Sequence, residues 1–287
     1  MFSRTIAGIK LALGLHRPGR NLTVFPDDIF IVSYPKSGNT WTRFLLANLT
    51  YPESCPDFAN INRLIPDPEA LAKRFMNRLP RPRIIKSHQY FDPRYRRIVY
   101  VVRDPRDVAI SQYYFHRKRR LIDDAYSIER FVIRFVAGET SPYASWGENV
   151  AGWLATRYNT PGFLLLRYED MLADTARELA KVAEFLEIDA SYQRLANAVE
   201  KSSADRIREL ERKQAHKWSS TKDTRQDIPF VRTAKAGNWR SGLTEEALAT
   251  IENAWGPLMR WLGYKTVKHA DDRRPEFLGS VIQGTAK

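Results

Sequence analysis

Short apolar runs alternate along this chain with longer segments whose apolar positions follow helical spacing. Four such runs predict strands, at residues 29–33, 83–88, 97–102 and 163–168. Helical spacing predicts helices at residues 40–49, from residue 104 or 105 onward, at residues 179–186 and at residues 248–262. Nearly continuous apolar strands suit a parallel sheet that helices cover on both faces. The pattern therefore predicts a three-layer α/β fold around a mostly parallel central sheet.

The length of the chain and the composition of its two ends indicate how the chain is organised into a domain and terminal segments. The 287 residues contain no repeat and no Gly/Ser-rich linker, so we expect a single domain over residues 1–287. The apolar runs are far shorter than the roughly 20 residues that span a bilayer. Residues 1–25 mix basic and apolar positions, and we expect a helical segment there that rests on the protein body or makes a peripheral contact with an anionic membrane. Residues 266–287 are polar and lack periodicity, which predicts a loose tail.

The excess of basic residues indicates which kinds of ligand the protein is expected to bind. Lys and Arg total 46 against 33 Asp and Glu, a net charge of +13, which favours nucleic acid or a small ligand with several phosphates or sulfates. The densest basic run, Arg117-Lys118-Arg119-Arg120, is more typical of a solvated helix end than of a nucleic-acid patch. No nucleic-acid-binding signature accompanies this run, so we expect no nucleic-acid partner.

Cysteine and histidine usage argues against two kinds of site. The single cysteine, Cys55, cannot form an internal disulfide or a cysteine-based zinc site. One free thiol suits a reducing compartment, which suggests the cytoplasm. The five histidines show no metal-ligand spacing, so we predict no metal site.

The turn after the first strand carries the strongest local signal for chemistry. It reads Ser33-Tyr34-Pro35-Lys36-Ser37-Gly38-Asn39-Thr40-Trp41 and joins a buried strand to a helix. Backbone N–H groups at a helix start bind phosphate, and Lys36 adds a charge while Ser37 and Thr40 add hydroxyls. A Walker A loop has a second glycine upstream and its lysine follows the later glycine, so an ATP-driven P-loop enzyme is disfavoured. An ordinary strand–helix turn is the alternative for this segment taken alone.

A second anion site is predicted where the third strand ends. Arg103 closes that strand, Asp104 suits a helix N-cap and Pro105 suits the first helical position. Ser111 lies roughly two helical turns further on. A guanidinium beside a helix N-terminus suits a phosphate monoester, whereas a structural ion pair with Asp104 or Asp107 is the alternative role for Arg103.

The end of the second strand, Lys86-Ser87-His88, brings titratable groups to the same region. Strand alternation puts Lys86 and His88 on one face, from which both reach the crevice beyond the strand ends. A neutral imidazole takes up a proton at neutral pH, so His88 is a candidate general base. A structural histidine is the alternative for His88 taken alone.

Together these segments resemble the cytosolic sulfotransferases that use 3′-phosphoadenylyl sulfate (PAPS). Residues 34–41 resemble the family's 5′-phosphosulfate loop, and residues 103–111 match its 3′-phosphate motif, an Arg followed eight places later by a Ser. Residues 86–88 look like its Lys-Thr-His segment, residues 168–171 like a block whose Tyr contacts the nucleotide, and residues 232–239 like its late Arg-Lys-Gly block. Five blocks in the family's order are far more specific than any one of them.

The resemblance implies an enzyme that moves a sulfuryl group from PAPS to an acceptor hydroxyl or amine and releases adenosine 3′,5′-bisphosphate (PAP), without a metal. It implies that His88 is the general base and that Lys36, Lys86 and Ser111 are further catalytic residues. The implied donor-binding residues are Lys36, Ser37, Gly38, Asn39, Thr40, Trp41, Arg103, Ser111, Tyr168 and Arg232.

The implied roles follow the charges of the donor. Lys36 would stabilise the charge that grows on the leaving 5′-phosphate, and Lys86 would support the sulfuryl oxygens. Arg103 and Ser111 would hold the 3′-phosphate with help from Arg232, and this contact would distinguish PAPS from ATP. Trp41 would cover the adenine.

The chain departs from the family pattern at several positions. Asn39 stands where Thr is usual, and Thr233 and Ala234 replace the Lys and Gly of the late block. Residues 202–204 lack the family's adenine-contacting aromatic. The family's dimerisation motif is not recognisable after Trp239, so the usual dimer is not assumed.

The sequence does not name the acceptor. Aromatic residues between positions 115 and 161 either wall an apolar pocket for a phenol, sterol or lipid alcohol, or belong to the helix core. These residues are Tyr126, Phe131, Phe135, Tyr143, Trp146 and Trp153. The basic surplus equally suits a glycan acceptor. Two other interpretations of the whole chain are a nucleotide kinase-like phosphoryl transferase and a non-catalytic polyanion-binding protein.

Overall fold

The central sheet consists of four parallel strands. The structure, a computed structural model, describes residues 13, 15, 17–218 and 220–267. The strands are β1 (Ile29–Ser33), β2 (Ile84–Ser87), β3 (Arg97–Val102) and β4 (Phe163–Arg167). They lie in the order β2-β1-β3-β4, and every neighbouring pair is parallel. The four predicted strands are therefore confirmed to within one residue at each end.

Helices fill most of the chain between and after the strands. In the described part of the chain they are α1 (Asn39–Thr50), α2 (Ile61–Leu64), α3 (Lys73–Met76), α4 (Pro105–Lys118), α5 (Ile128–Val136), α6 (Trp146–Arg157), α7 (Tyr168–Ala173), α8 (Thr175–Leu186), α9 (Tyr192–Lys201), α10 (Ala204–Gln214), α11 (Trp239–Gly242) and α12 (Glu245–Trp261). Short 3₁₀ turns lie at Gly19–Asn21, Pro52–Ser54 and Ala215–Lys217. The four predicted helices correspond to α1, α4, α8 and α12.

Side-chain caps determine where many of these helices begin. Asp104 accepts a hydrogen bond from the Arg106 N–H at the start of α4, with Pro105 at the first helical position, as the sequence predicts. Ser145 and Glu148 form a reciprocal capping box at the start of α6. Serine or threonine caps also begin α5, α9, α10 and α12. Local chemistry therefore fixes the boundaries of helices that apolar spacing alone does not reveal.

The sheet is buried on both faces, which produces three layers. Phe30 and Val32 of β1 belong to one apolar cluster, which includes residues of α4, α5, α6 and α12. Ile29 and Ile31 point the other way, into a second cluster that includes residues of α1, α8, α9 and α10. All five residues of β1 are buried, as expected of a central strand in a parallel sheet. The predicted three-layer α/β architecture is confirmed.

The two predicted terminal segments lie largely outside the described residues. Residues 1–12 of the predicted N-terminal helical segment are among those not described, and within residues 17–25 the chain forms the 3₁₀ turn Gly19–Asn21 rather than an α-helix. The predicted tail lies outside the described residues beyond Val267. None of the described helices is long and apolar enough to cross a membrane.

The strand order determines where a site can form. The chain passes from β1 to β2 on one side and then crosses to β3 on the other, so the order reverses between β1 and β3. In open α/β sheets, such a reversal opens a crevice at the carboxyl ends of the strands. The turn after β1, His88 after β2, Arg103 after β3 and the start of α7 after β4 all meet at this edge.

Candidate functional site

The turn between β1 and α1 has the backbone of an anion-binding loop. Gly38 is the N-cap of α1 with φ of +103°, and a Cβ at this position would lie 2.6 Å from Cδ2 of Tyr168. Glycine is therefore required both by its backbone conformation and by the close approach of the tyrosine ring. The Thr42 N–H donates to the Gly38 carbonyl, which leaves the preceding N–H groups at the helix start without intrahelical partners. Such a row of amides attracts an anion.

Ser37 and Asn39 use their polar groups differently within this turn. The Ser37 hydroxyl is fully buried and has no hydrogen-bond partner among the described residues. Asn39 donates from its side-chain amide to the Ile31 carbonyl at 3.1 Å and to the Ser33 hydroxyl at 3.2 Å. Asn39 therefore ties the turn to β1, whereas Ser37 retains an unused hydroxyl inside the loop. Thr40 is half-buried at the second position of α1.

Lys36 lies between two aromatic rings. Its ammonium is 4.3 Å from the ring centre of Phe115 and 4.1 Å from that of Phe230. Burial, together with the charges of Arg103 and Arg232, lowers the pKa of Lys36 to about 7. An anion in the loop would offset those charges and favour the protonated amine.

Arg103 faces the turn and residues 225–239, the late segment of the chain. Its guanidinium lies over the Tyr168 ring at 4.4 Å and donates to the carbonyl oxygens of Lys36 and Lys235, each at 3.2 Å. Its Nε is buried and has no partner within the described residues. The guanidinium thus retains a donor for a ligand in the same crevice.

The two carboxylates next to Arg103 bind other groups. Asp104 pairs with Arg106 at 2.6 Å. Asp107 accepts hydrogen bonds at 2.7 and 3.0 Å from two backbone N–H groups of the segment that leads into α11, and lies 3.9 Å from Arg103. The alternative role of Arg103 in a structural ion pair is therefore confirmed for Asp107, at a long distance of 3.9 Å, and not for Asp104, which pairs with Arg106.

The late segment brings a further cation to the site. Arg232 lies over the Tyr114 ring at 4.7 Å, and burial and the nearby Arg103 lower its pKa. Arg208 donates to the carbonyl oxygen of Thr233 at 3.1 Å, which supports this segment from α10. Ala234 adopts φ of +53°, the left-handed region that a glycine would occupy without strain.

Trp41 contacts Tyr168, and Ser111 lies on α4. The Trp41 ring meets the Tyr168 ring edge-on at 5.7 Å, and its Nε1 donates to the Ser202 carbonyl at 3.1 Å. At the position where the family's aromatic is missing, Ser202 therefore anchors the tryptophan. Ser111 is half-buried on α4, one turn before Phe115.

The imidazole of His88 has a defined tautomer. Its Nδ1 lies 2.7 Å from the carbonyl oxygen of Ser33, which only accepts hydrogen bonds, so Nδ1 carries the proton. Nε2 is then the basic nitrogen. Burial, followed by the charge of Lys86, lowers the pKa of His88 to about 3. The ring is therefore neutral over the whole physiological range.

Lys86 and His88 line one small cavity beyond the end of β2, as their shared strand face predicts. The Lys86 ammonium donates to Asp67 at 2.8 Å, and both side chains are mostly buried. Opposite the imidazole, the ring of Tyr143 lies 5.6 Å from that of His88, and the Tyr143 hydroxyl donates to Glu69. Neither carboxylate was expected from the sequence, where Asp67 and Glu69 lie outside every recognised block.

The aromatic residues of positions 115–161 divide between core and site. Phe131, Phe135, Trp146 and Trp153 are fully buried in the apolar cluster on one face of the sheet. Tyr126 packs against that cluster, and Tyr143 alone of the six is found beside the imidazole. Of the two roles considered for these aromatics, the four fully buried rings therefore take the helix-core one.

Two buried charges outside the recognised motifs hold the late segment in place. Lys118 is only 1% exposed and donates to the carbonyl oxygens of Arg225 and Ile228 at 3.0 and 2.7 Å. Glu211 accepts from the backbone N–H groups of Phe230 and Val231 at 2.6 and 3.1 Å. The prediction that the basic run 117–120 is a solvated helix end is therefore wrong for Lys118, because its charge is compensated by groups distant in the sequence.

Metal-binding groups do not assemble here. Within residues 17–218 and 220–267, no three side chains of His, Cys, Asp or Glu come together in a way that could hold a metal ion.

Comparison with known proteins gives the chain a family. The family model for the sulfotransferase domain matches residues 26–263. Sulfotransferase 1E1 of Rattus norvegicus is 31% identical over 240 residues, which cover 77% of this chain and 79% of that protein. Sulfotransferase 1 family member D1 of Rattus norvegicus is 31% identical over 237 residues, which cover 76% of this chain and 79% of that protein.

Solved structures share the fold. Retinol dehydratase in complex with androsterone and the inactive cofactor PAP matches with a TM-score of 0.68 and 21% identity, covering 89% of this chain and 86% of that one. Mouse sulfotransferase SULT7A1 complexed with PAP matches with a TM-score of 0.67 and 24% identity, covering 87% of this chain and 89% of that one. The chain belongs to the sulfotransferase family and is a sulfotransferase.

Proposed function

We propose that this enzyme transfers a sulfuryl group from PAPS to a hydroxyl or amine of a small-molecule acceptor, with His88 as the general base. One observation carries the donor assignment. Three basic side chains, Lys36, Arg103 and Arg232, converge on a turn that holds a buried hydroxyl without a partner among the described residues. A ligand with phosphates at both ends of a nucleoside compensates this excess of charge. The PAP bound to two of the similar structures supports the same class of nucleotide.

The residues present fit this donor. The turn at residues 36–41, with its free amides and the Ser37 hydroxyl, suits the 5′-phosphosulfate, and Trp41 and Tyr168 offer rings for the adenine. Arg103, Ser111 and Arg232 suit the 3′-phosphate. Asn39 ties the turn to β1 through its hydrogen bond to the Ile31 carbonyl, and in this way it helps to fix the position of Gly38.

The transfer balances around the acceptor oxygen. That oxygen forms a bond to sulfur as the bond from sulfur to the 5′-phosphate oxygen breaks, the electron pair leaves with the phosphate, and the hydroxyl proton passes to Nε2 of His88. The Ser33 carbonyl holds Nδ1–H and keeps Nε2 available. Lys36 would stabilise the phosphate that leaves, and Lys86, held by Asp67, would face the sulfuryl oxygens.

A thermal-shift titration tests the donor assignment. At 100 times its dissociation constant, PAP should stabilise the enzyme by about 2.7 kcal/mol relative to the unliganded protein, and AMP and ATP at the same concentration should stabilise it less. Arg103→Ala should lose this preference for PAP, whereas Arg212→Ala, an exposed arginine of α10, should keep it. An equal response to PAP, AMP and ATP would refute the assignment. ATP turnover would then favour a phosphoryl transferase, and salt-dependent DNA binding would favour a polyanion-binding protein.

We also propose that the chain works as a single domain in the cytoplasm. Apolar clusters on both faces of one sheet support the first part. The exposed free thiol of Cys55, the only cysteine in the sequence, supports a reducing compartment.

A further inference from the structure

Two stretches of the sequence are basic and contain no acidic residue. Residues 1–26 contain four Lys or Arg, and the next acidic residue is Asp27. Residues 70–91 contain six Lys or Arg, and the next acidic residue is Asp92. Together the two stretches contribute ten positive charges and no negative one, whereas the whole chain has a net charge of +13.

The fold places the two stretches against each other. The Gly19 N–H donates to the carbonyl oxygen of Pro68 at 3.4 Å. The buried guanidinium of Arg83 donates to the carbonyl oxygens of Thr23 and Met76, each at 2.8 Å. The basic charge of the two stretches is therefore concentrated on one side of the protein.

Only half of the cations in the second stretch are neutralised. Arg81, Arg83 and Lys86 form ion pairs with Asp27, Asp28 and Asp67, respectively. The side chains of Lys73, Arg74 and Arg78 form no hydrogen bond or ion pair with any residue that the structure describes. Arg74 and Arg78 are exposed and Lys73 is half-buried. These three cations, on α3 and in the turn after it, are left for a partner with negative charge.

Large apolar side chains are exposed next to these cations. Phe75 follows Arg74 on α3 and is 36% exposed. In the adjoining N-terminal stretch, Leu13 and Leu15 are 57% and 37% exposed and precede the exposed Arg17. Exposed cations interspersed with exposed apolar side chains are typical of proteins that lie on an anionic bilayer. A nucleic acid would pair with the cations, but its phosphates offer nothing to the leucines.

We propose that the basic face, formed by Lys73, Arg74, Phe75 and Arg78, binds the surface of a membrane that contains anionic lipids. The lipid headgroups pair with the three cations, and the Phe75 ring enters the boundary between headgroups and acyl chains. The N-terminal stretch adds its own cations and leucines to this contact.

Co-sedimentation of the full chain with vesicles tests the proposal. One set of vesicles contains phosphatidylcholine alone, and the other contains phosphatidylcholine with phosphatidylserine. We expect the protein to pellet with the phosphatidylserine vesicles only, and to be released as the salt concentration rises. A protein that does not pellet with phosphatidylserine vesicles, or that pellets equally with both sets, overturns the proposal.

Removal of the three free cations tests which surface is used. The triple variant Lys73→Gln/Arg74→Gln/Arg78→Gln should bind phosphatidylserine vesicles roughly 100-fold more weakly, since each cation near an anionic bilayer contributes about 5-fold. Unchanged binding by this variant would show that another surface meets the vesicle and would overturn the proposal.

A matched control removes the same charge from other exposed positions. The triple variant Lys201→Gln/Arg212→Gln/Lys222→Gln alters α9, α10 and the segment after them. It should bind the vesicles as the wild type does. An equal loss of binding in both triple variants would show that the net charge acts without a defined face, which also overturns the proposal.

Phe75→Ser separates a lipid surface from a soluble polyanion. This variant should bind phosphatidylserine vesicles at least about 3-fold more weakly, because the ring no longer buries apolar area in the bilayer. Vesicle binding that is unchanged in Phe75→Ser, or binding of a DNA duplex in preference to the vesicles, would refute the lipid assignment. Because all the substituted side chains are exposed or half-buried, every variant should keep the urea unfolding midpoint of the wild type.

Discussion

Binding of PAP should be accompanied by proton uptake at Lys36. In the free enzyme, burial and neighbouring cations lower the pKa of Lys36 from an ordinary value of 10.5 to about 7. A phosphate in the turn supplies the opposite charge and raises this pKa again. Between these two values, the free amine is largely neutral and the bound one is protonated, so each binding event takes a proton from solution.

The size of the effect follows from the titration curve. With a pKa of about 7 in the free enzyme, about nine-tenths of the Lys36 side chains are neutral at pH 8, about half at pH 7 and about one-tenth at pH 6. If the bound pKa returns close to its ordinary value, uptake is about 0.9 proton at pH 8 and falls to about 0.1 at pH 6. PAP adds little at pH 8, because a phosphate monoester with a second pKa of about 6 is already ionised there.

Calorimetry measures this uptake directly. PAP is titrated into the enzyme at pH 8 in two buffers whose ionisation enthalpies differ, and the difference in heat gives the number of protons. Lys36→Met should remove the uptake, and Lys201→Met, an exposed lysine at the end of α9, should retain it. Heats that do not depend on the buffer, or an uptake that persists in Lys36→Met, would show that the reasoning about Lys36 is wrong.

Three further substitutions have defined outcomes. His88→Ala should still bind PAP and should lose turnover by about 10²- to 10⁴-fold, the usual contribution of a general base, and full activity would contradict that role. Glu211→Ala leaves Lys118 without its carboxylate, so the free energy of unfolding in urea should fall by about 3 kcal/mol. PAP should also bind more weakly to this variant. An unchanged unfolding midpoint would argue against the buried pair. Ala234→Gly should raise the free energy of unfolding by about 0.5 to 1 kcal/mol, because φ of +53° strains alanine, and destabilisation would contradict this.

The sheet and the cationic edge of the site could be predicted from the sequence because their signals are local. Every residue of β1 is buried, and this strand is therefore visible in the sequence as a continuous apolar run. Asp104 and Pro105 mark the start of α4 in the sequence, because the N-cap hydrogen bond joins Asp104 to a residue only two positions away. Because parallel strands end at one edge, placing Lys36, His88 and Arg103 after three strands is enough to bring them together.

Contacts between distant segments could not be predicted in this way. Lys118 lies in a basic run that composition assigns to solvent, and the carboxylate that permits its burial is 93 residues away. Phe230 packs against Lys36 from a segment that is neither helix nor strand. No periodic pattern of apolar residues in the sequence therefore indicates which way its side chain points. Phe115 had a usable signal, since it follows Ser111 by one turn of α4 and therefore lies on the same face of the helix.

The two depressed pKa values act in opposite directions on catalysis. His88 with a pKa of about 3 is a neutral base above that pH, and Lys36 with a pKa of about 7 is a cation below it. The free enzyme therefore has both groups in the state that their proposed roles require only between about pH 3 and pH 7. Because a bound phosphate keeps the proton on Lys36, occupancy of the donor site extends this range upward. We expect the upper limb of the pH profile of kcat to lie above that of kcat/KM for PAPS, since the former reports the complex and the latter the free enzyme.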